Sequence, residues 1–369
     1  MKNENKRGFF RYIPLWAVIF FALGAVAFAI ELISKKSIPL ADFINDTSGR
    51  VIRALLAFST NIFPFSLAEA LIILSPLLVA GLVYLIVRAS KKSMASLIRF
   101  TSGFLSCAAL VYAVFVFGYG TGYYGTTIDK KMNLEKTDVS AYELYMTGLK
   151  LAHGAKNELE NVNFTADGDS YMPYTHFEMN KKLNAAYVAT CKKYPFLQKF
   201  HSDTKPVMFS EKMTYTHLSG VYSFFTGEAN VNVNYPDYIV TTSAAHEMAH
   251  QRGIAREDEA NFVAFLVCIN SDDPYLRYSG YTDVLLSVMN SLAAADEELY
   301  LQLYVVVPDE IKAEYAAYGA FFEKYRESKA AETTDKINDA YIENHGQPEG
   351  SRSYGLVVDL TVAYYRAQD

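Results

Sequence analysis

The sequence predicts an apolar helical membrane region followed by a larger, mainly helical polar body that carries a small sheet. Three observations carry this. Three long uncharged or nearly uncharged runs fall within the first 118 residues. Helical periodicity dominates most of the remaining chain, and a short β-prone interval lies before the stretch "TTSAAHEMAHQRGIAREDEANFVAF". The 369 residues suffice for two units of ordinary size, expected at 1–118 and 119–369.

The apolar runs are Tyr12–Ile33, Ser66–Val87 and Phe100–Gly118. Each approaches the roughly 20 residues that cross about 30 Å of hydrocarbon as a helix. The first is too long in its apolar core for a signal peptide, and no A-x-A-like site follows it. Pro76 falls inside the second, which membrane helices tolerate. Lys2, Lys6, Arg7 and Arg11 precede the first span. Arg88, Lys91, Lys92 and Arg99 crowd the link between the second and third. Positive charge favours the cytoplasmic side, so the chain after Gly118 is expected outside a bacterial cytoplasmic membrane. Lys35, Lys36, Arg50 and Arg53 in the first loop weaken that bias, although they are more widely spread and accompanied by Asp42 and Asp46. Asp46–Thr60 reads as an amphipathic helix on the interface, with Val51, Ile52, Leu55, Leu56 and Phe58 apolar and Arg50 and Arg53 polar.

Composition narrows the function classes. The formal charge of −6 speaks against a nucleic-acid partner, which would need a basic face. Cys107, Cys191 and Cys268 form no CxxC pair, so neither a cysteine zinc site nor a disulfide framework follows. Cys191 and Cys268 could pair on an oxidising side; two separate buried thiols are the simpler reading. The expected partners are the lipid bilayer and a protein or peptide substrate.

Beyond the spans, "GYGTGYYGTT" (Gly118–Thr127) reads as a short flexible link. Helices are expected at Val139–Leu159 and Phe177–Tyr194, and strands at Lys205–Phe209 and Val221–Val233, where "EANVNVNY" alternates. Further helices are expected up to Arg252, from Arg256 to Ile269, and at Tyr275–Ala295, Asp309–Glu327, Thr333–Asn344 and Ser353–Arg366. Glu327–Lys336 is the expected mobile link.

His246 and His250 stand four apart, which on a helix stacks their rings on one face, one turn apart. Two imidazoles so placed can hold one zinc ion at about 2.0–2.1 Å. Glu247 beside the first is placed to take a proton from water at such a site. Thr241, Thr242 or Ser243 could cap the helix, Ala244, Ala245 and Ala249 favour it, and Gly253 suits a left-handed end. A catalytic zinc usually has three protein ligands. Glu257, Asp258 and Glu259 all lie in the first turn of the next helix, where acids are expected for the helix dipole alone. Glu259 stands above an apolar stripe of Phe262, Val263 and Leu266, which favours it as the inward-facing third ligand over Glu257. The segment Gly227–Tyr238, ending at Pro236, reads either as an exposed edge strand beside the helix or as part of a plain small sheet. The remaining histidines, His153, His176, His201 and His345, lack partner spacing.

The stretch "HEMAHQRGIAREDEANFVAFL" resembles a family of bacterial multi-pass membrane proteins of unknown function that carry an HExxH motif. The likeness extends over nearly the whole chain, including "NIFPFSLAEA" (Asn61–Ala70), "GEANVN" (Gly227–Asn232) and "SYGLVVDL" (Ser353–Leu360). More distantly it is similar to the ImmA/IrrE metallopeptidases and the gluzincins. That resemblance implies a zincin-like fold, one Zn²⁺ per chain held by His246, His250 and Glu259, and Glu247 as general base. Where gluzincins often carry an aspartate four residues after the ligand glutamate, this chain has Val263, so support for the histidines must come from elsewhere. His217, Tyr215, Tyr222 and Tyr354 are the candidates for stabilising an oxyanion. The expected function is therefore a membrane-anchored zinc metallopeptidase. The alternative is a non-catalytic, membrane-tethered binding or envelope-structural protein.

Overall fold

The computed structural model describes residues 8–345 and 357–368. Among them, three helices are long and apolar enough to cross a membrane: α1 (Leu15–Ser34), α4 (Leu67–Lys92) and α5 (Met94–Gly118). The last two run longer than the sequence suggested. Ser66 and Ser93 cap them, each accepting from a backbone N–H three residues on, and Lys91 and Lys92 close the last turn of α4. α1 packs along α5. Small residues permit the approach: a Cβ at Gly24 would meet Ala109, and one at Gly103 would meet the Trp16 ring.

Between α1 and α4 lie α2 (Ile38–Ile44), one π-helical turn (Asn45–Gly49) and α3 (Arg50–Thr60). α3 is amphipathic as expected, with Val51, Leu55 and Phe58 exposed. Its two arginines part company, however: Arg50 is exposed and Arg53 is buried. Arg53 donates to the carbonyl oxygens of Gly118 and Asn45 and to Gln198 Oε1. The polar-face expectation holds for Arg50 and fails for Arg53, because α3 lies against the polar body and uses Arg53 as the contact.

The Gly118–Thr127 segment is also corrected. It is not a flexible link: Gly120–Tyr124 forms a 3₁₀ turn, with Tyr119 and Tyr123 buried. After α6 (Ile128–Met132), α7 (Ala141–Glu158) begins with a full Ser140–Glu143 capping box. A two-residue hairpin ladder follows, β1 (Asn163–Phe164) with β2 (Ser170–Tyr171). α8 (His176–Lys193) opens with a second box, Thr175–Glu178.

A three-stranded sheet comes next: β3 (Lys205–Pro206), β4 (Gly220–Ser223) and β5 (Glu228–Val231), with α9 (Ser210–Thr214) between the first two. Its order is β3-β5-β4, with β3 parallel and β4 antiparallel to β5. The "GEANVN" strand is therefore central and wholly buried, and β3 and β4 are the edges. Its asparagines are internal hydrogen-bonders: Asn230 Nδ2 donates to Val221 O, and Asn232 Nδ2 to Leu218 O.

The remaining helices are α10 (Asp237–Gln251), α11 (Glu257–Ile269), α12 (Pro274–Ala295), α13 (Glu297–Val306), α14 (Asp309–Glu323), α15 (Lys329–Asn344) and α16 (Val357–Arg366). α13 was not expected from the sequence, and α15 occupies most of the segment expected to be mobile. The start of the last expected helix, Ser353–Leu356, lies outside the described residues. α10, α11 and α12 pack on one another at the centre, with Met248, Phe262, Leu266 and Leu285 fully buried. The three cysteines are free, and Cys268 is buried in this core.

The sheet is fastened to the membrane helices. Buried Glu228 accepts from the N–H groups of Leu67 and Ala68 at 3.0 and 2.9 Å, capping α4 from the side. Glu69 returns the contact, accepting from Met208 and Phe209 N–H at 2.8 and 2.9 Å. A carboxylate at a helix N-terminus is worth about 1–2 kcal/mol when partly buried. Glu228→Ala is expected to lower the stability of the full chain in detergent by about that amount, read as a lower unfolding midpoint. Exposed Glu160→Ala should leave the midpoint unchanged.

Candidate metal centre

α10 starts at Asp237, directly after Pro236, and Thr241, Thr242 and Ser243 are buried within it rather than capping it. The earlier start buries the helix along its length, from Tyr238 to Gln251. It ends as expected: Gly253 is left-handed at φ +89°, and Ile254 N–H reaches back to the Ala249 carbonyl. The tight turn brings α11 back across α10, so that Glu257, its first residue, faces the histidines.

Glu257 Oε2 lies 3.2 Å from His246 Nε2 and 3.2 Å from His250 Nε2. All three ligand atoms lie within 4.8 Å of one another. Ligands about 2.05 Å from one tetrahedral ion stand about 3.3 Å apart, so the spacing suits a single zinc. The two rings stand nearly perpendicular, with centroids 4.5 Å apart. Among the described residues, no fourth histidine, cysteine or carboxylate joins the group. Structural zinc sites usually bring four protein ligands; this group brings three among the described residues.

Glu259 is not brought to the histidines. Its Oε1 accepts from Ile128 N–H at 2.9 Å, and burial raises its carboxyl to about 7. The geometry corrects the third position from Glu259 to Glu257.

Each histidine has distinct surroundings. His250 Nδ1 lies 2.7 Å from the Ile254 carbonyl oxygen, to which it can only donate. That bond leaves the Nε2 lone pair for a metal and supplies the support that Val263 does not. The Tyr119 hydroxyl lies 3.0 Å from the same Nδ1. Burial alone would lower the His250 imidazole, but Glu257 beside it holds it above its ordinary range. Burial alone would raise Glu257, yet the two imidazoles hold it far below the usual carboxylate range. His246 Nδ1 is buried without a partner. Beyond His246 lies a cavity of about 380 Å³, lined by His217, Thr242, Asn261, Asp283 and Phe322 among others. Asp283, which sequence reasoning passed over, is raised to about 6 by burial, partly offset by Thr242 and His246. Its helix carried no motif, so no local signal pointed to it.

Glu247 sits under the edge strand. A Cβ at Gly220 would overlap its carboxylate, and Tyr222 N–H of β4 donates to it. Oε2 is buried without a partner. Burial raises the carboxyl to about 7, against the two imidazoles and the Tyr222 N–H, which lower it. A base of that strength suits proton transfer at neutral pH.

The oxyanion candidates divide. His217 lines the His246 cavity and is itself held at 2.8 Å from the Tyr325 carbonyl, with a left-handed φ of +59°. The Tyr222 ring stacks beside His250 at 6.5 Å. Tyr215 packs edge-on against Tyr325 instead. Tyr354 lies outside the described residues. His153, His176, His201 and His345 do not join the group.

A family model described as "Protein of unknown function (DUF3810)" matches residues 48–362, which include the metal group, the sheet and two of the three apolar helices. No curated protein and no solved structure matches the chain.

Proposed function

We propose, since the chain belongs to the DUF3810 family and that family is described as of unknown function, that it is a membrane-anchored zinc metallopeptidase of zincin-like design. The single observation that carries the reading is the convergence of His246, His250 and Glu257 around one point, with Glu247 beside it and no fourth ligand among the described residues. Zinc, when bound, would polarise a peptide carbonyl and acidify water next to it. The chain's own residues do the rest. Glu247 takes one proton from water at Oε2, the free oxygen of its carboxylate, and passes it to the leaving amine as the C–N bond breaks. The water oxygen stays on the carbonyl carbon, and the products are a carboxylate and an amine. The edge strand β4 supports an extended substrate, because Val221 and Ser223 pair with β5 while Tyr222 N–H turns the other way, toward Glu247. The cavity beyond His246 would take a substrate side chain beside the broken bond. By the lysine and arginine bias, the polar body lies outside the cytoplasm.

The test is Glu247→Gln in the full chain. It should keep about one zinc and lose peptide hydrolysis by about 10²–10⁴-fold, the usual contribution of a general base. Zinc absent from the folded wild type would favour the non-catalytic alternative, in which Glu257 only bridges two imidazoles. Gly220→Val supplies a second check. Its Cβ would overlap Glu247 and force that side chain to move, so activity should fall on the order of a hundredfold with zinc retained. Activity preserved in that variant would remove Gly220 and β4 from the site.

A further inference from the structure

The tip of the β4–β5 hairpin is wedged among the ends of the apolar segments. The Phe224 ring packs edge-on at 4.9 Å against Phe115, in the last turn of α5. Gly227 lies against Leu56 and Ala57 of α3, so closely that a Cβ would overlap them. Glu228 caps the first turn of α4. Contacts to α3, α4 and α5 fix the depth of the tip. If α5 crosses a bilayer, Phe224 sits about 5 Å below its end at 1.5 Å per residue.

Near these contacts the polar body presents large apolar side chains that the described residues leave exposed. Phe225 next to the tip is 45% exposed. Met208 and Phe209, on the loop held by Glu69 of α4, are 71% and 42% exposed. Phe58 on α3 and Ile62 in the turn between α3 and α4 are exposed as well. A patch of this kind, continuous with membrane-spanning helices, has one natural occupant, the hydrocarbon edge of the same bilayer.

We infer that this face is immersed in the outer interface of the membrane, and that the candidate cleft therefore takes membrane-anchored polypeptides and cuts them just outside their span. The inference rests on the peptidase reading and names its substrate class. From Phe224 at the lipid rim to Gly220 over Glu247 is about 13 Å of extended strand. A peptide laid along β4 reaches Glu247 within about four residues of the bilayer. The metal group is equally close, since Tyr119, against His250, is the residue that follows α5. A soluble peptide would have to approach the same strand across the lipid surface.

The chain's single tryptophan, Trp16, makes depth measurable. In full-length Trp16→Phe protein in phosphatidylcholine vesicles, a tryptophan is introduced by Phe225→Trp or Phe209→Trp, with exposed Tyr142→Trp as the control. Zinc stoichiometry checks that each variant is folded. Lipids brominated near the headgroup should quench positions 225 and 209 at least twofold while aqueous iodide quenches them little; position 142 should behave oppositely. Iodide quenching at 225 and 209 equal to that at 142 would overturn the lipid-immersed face and leave the metal site untouched. In the second arm, wild-type protein in the same vesicles meets a random-sequence peptide library with and without an N-terminal myristoyl chain. Anchored peptides should be cut at least tenfold faster. Equal rates would overturn the substrate class. Neither library being cut, with zinc bound, would overturn the peptidase reading and the substrate class with it.

Discussion

Glu257→Gln is expected to strip the chain of zinc, and Glu259→Gln to leave it bound. Both residues are buried acids in one helical turn, and the substitutions are isosteric, so folding is a shared background. They differ in what they face. Glu257 Oε2 stands 3.2 Å from both imidazole Nε2 atoms, whereas Glu259 Oε1 holds Ile128 N–H, a bond that a glutamine oxygen can keep. Loss of an outer-shell partner costs about 10–100-fold in metal affinity, and loss of a ligand should exceed that. Metal content of the full chain in detergent, after dialysis against equimolar zinc, reads the difference. Zinc kept in Glu257→Gln and lost in Glu259→Gln would restore the assignment made from the sequence.

Proton linkage provides an independent check. Glu257 keeps the metal-free His250 imidazole protonated past neutrality. Zinc needs the lone pair at Nε2, so binding must expel that proton. Affinity should therefore rise with pH through neutrality, by about tenfold per unit for one proton, and level off once the raised pKa is passed. In Glu257→Gln the imidazole loses its charged partner, and whatever binding remains should show a flatter dependence there.

The second large effect is structural. Arg53→Ala is expected to destabilise the full chain by about 3 kcal/mol or more, from orphaned buried acceptors together with a cavity. The guanidinium, fully buried and lowered to about 10 by that burial, remains charged at neutral pH. It serves the Gly118 and Asn45 carbonyls and Gln198 Oε1 at once, which joins the end of α5, the π turn and the polar body. Arg53→Lys should rescue little, since an ammonium lacks the planar fork that reaches three acceptors. Thermal unfolding of the full-length variants checks this. A midpoint indistinguishable from wild type for Arg53→Ala would show that the clamp carries no stability.

What the sequence made legible were features with local signatures. The three apolar runs, the 3.6-residue periods and the i, i+4 histidines each depend on one segment, and they are found where expected, give or take a few residues. The third acid was not legible, because its choice turns on the left-handed Gly253 and on the residue at which α11 starts. The apolar stripe that favoured Glu259 carries no direction, since α11 is buried nearly all round. Of the two readings open for Gly227–Tyr238, the plain small sheet holds, with Glu228–Val231 at its centre; strand order depends on partners distant in the chain, which the segment itself does not encode. Arg53, Tyr119 and Asp283 were missed or misread for one reason. Each acts through partners far away in the chain, and a single sequence holds no record of such contacts.

The Gly118–Tyr124 passage ties the histidine helix to the apolar helices. Tyr119 leans on His250, and Arg53, from the membrane side of the chain, lies under Gly253 at the end of the histidine helix. Scission near Gly118 would separate the polar body from Arg53, α3 and the helix that Glu228 caps, leaving apolar surfaces bare around the histidines. The polar body, cut free of these helices, is therefore expected to lose the arrangement of its histidines. The metal group and the apolar helices are thus one structural unit rather than a head on a tether.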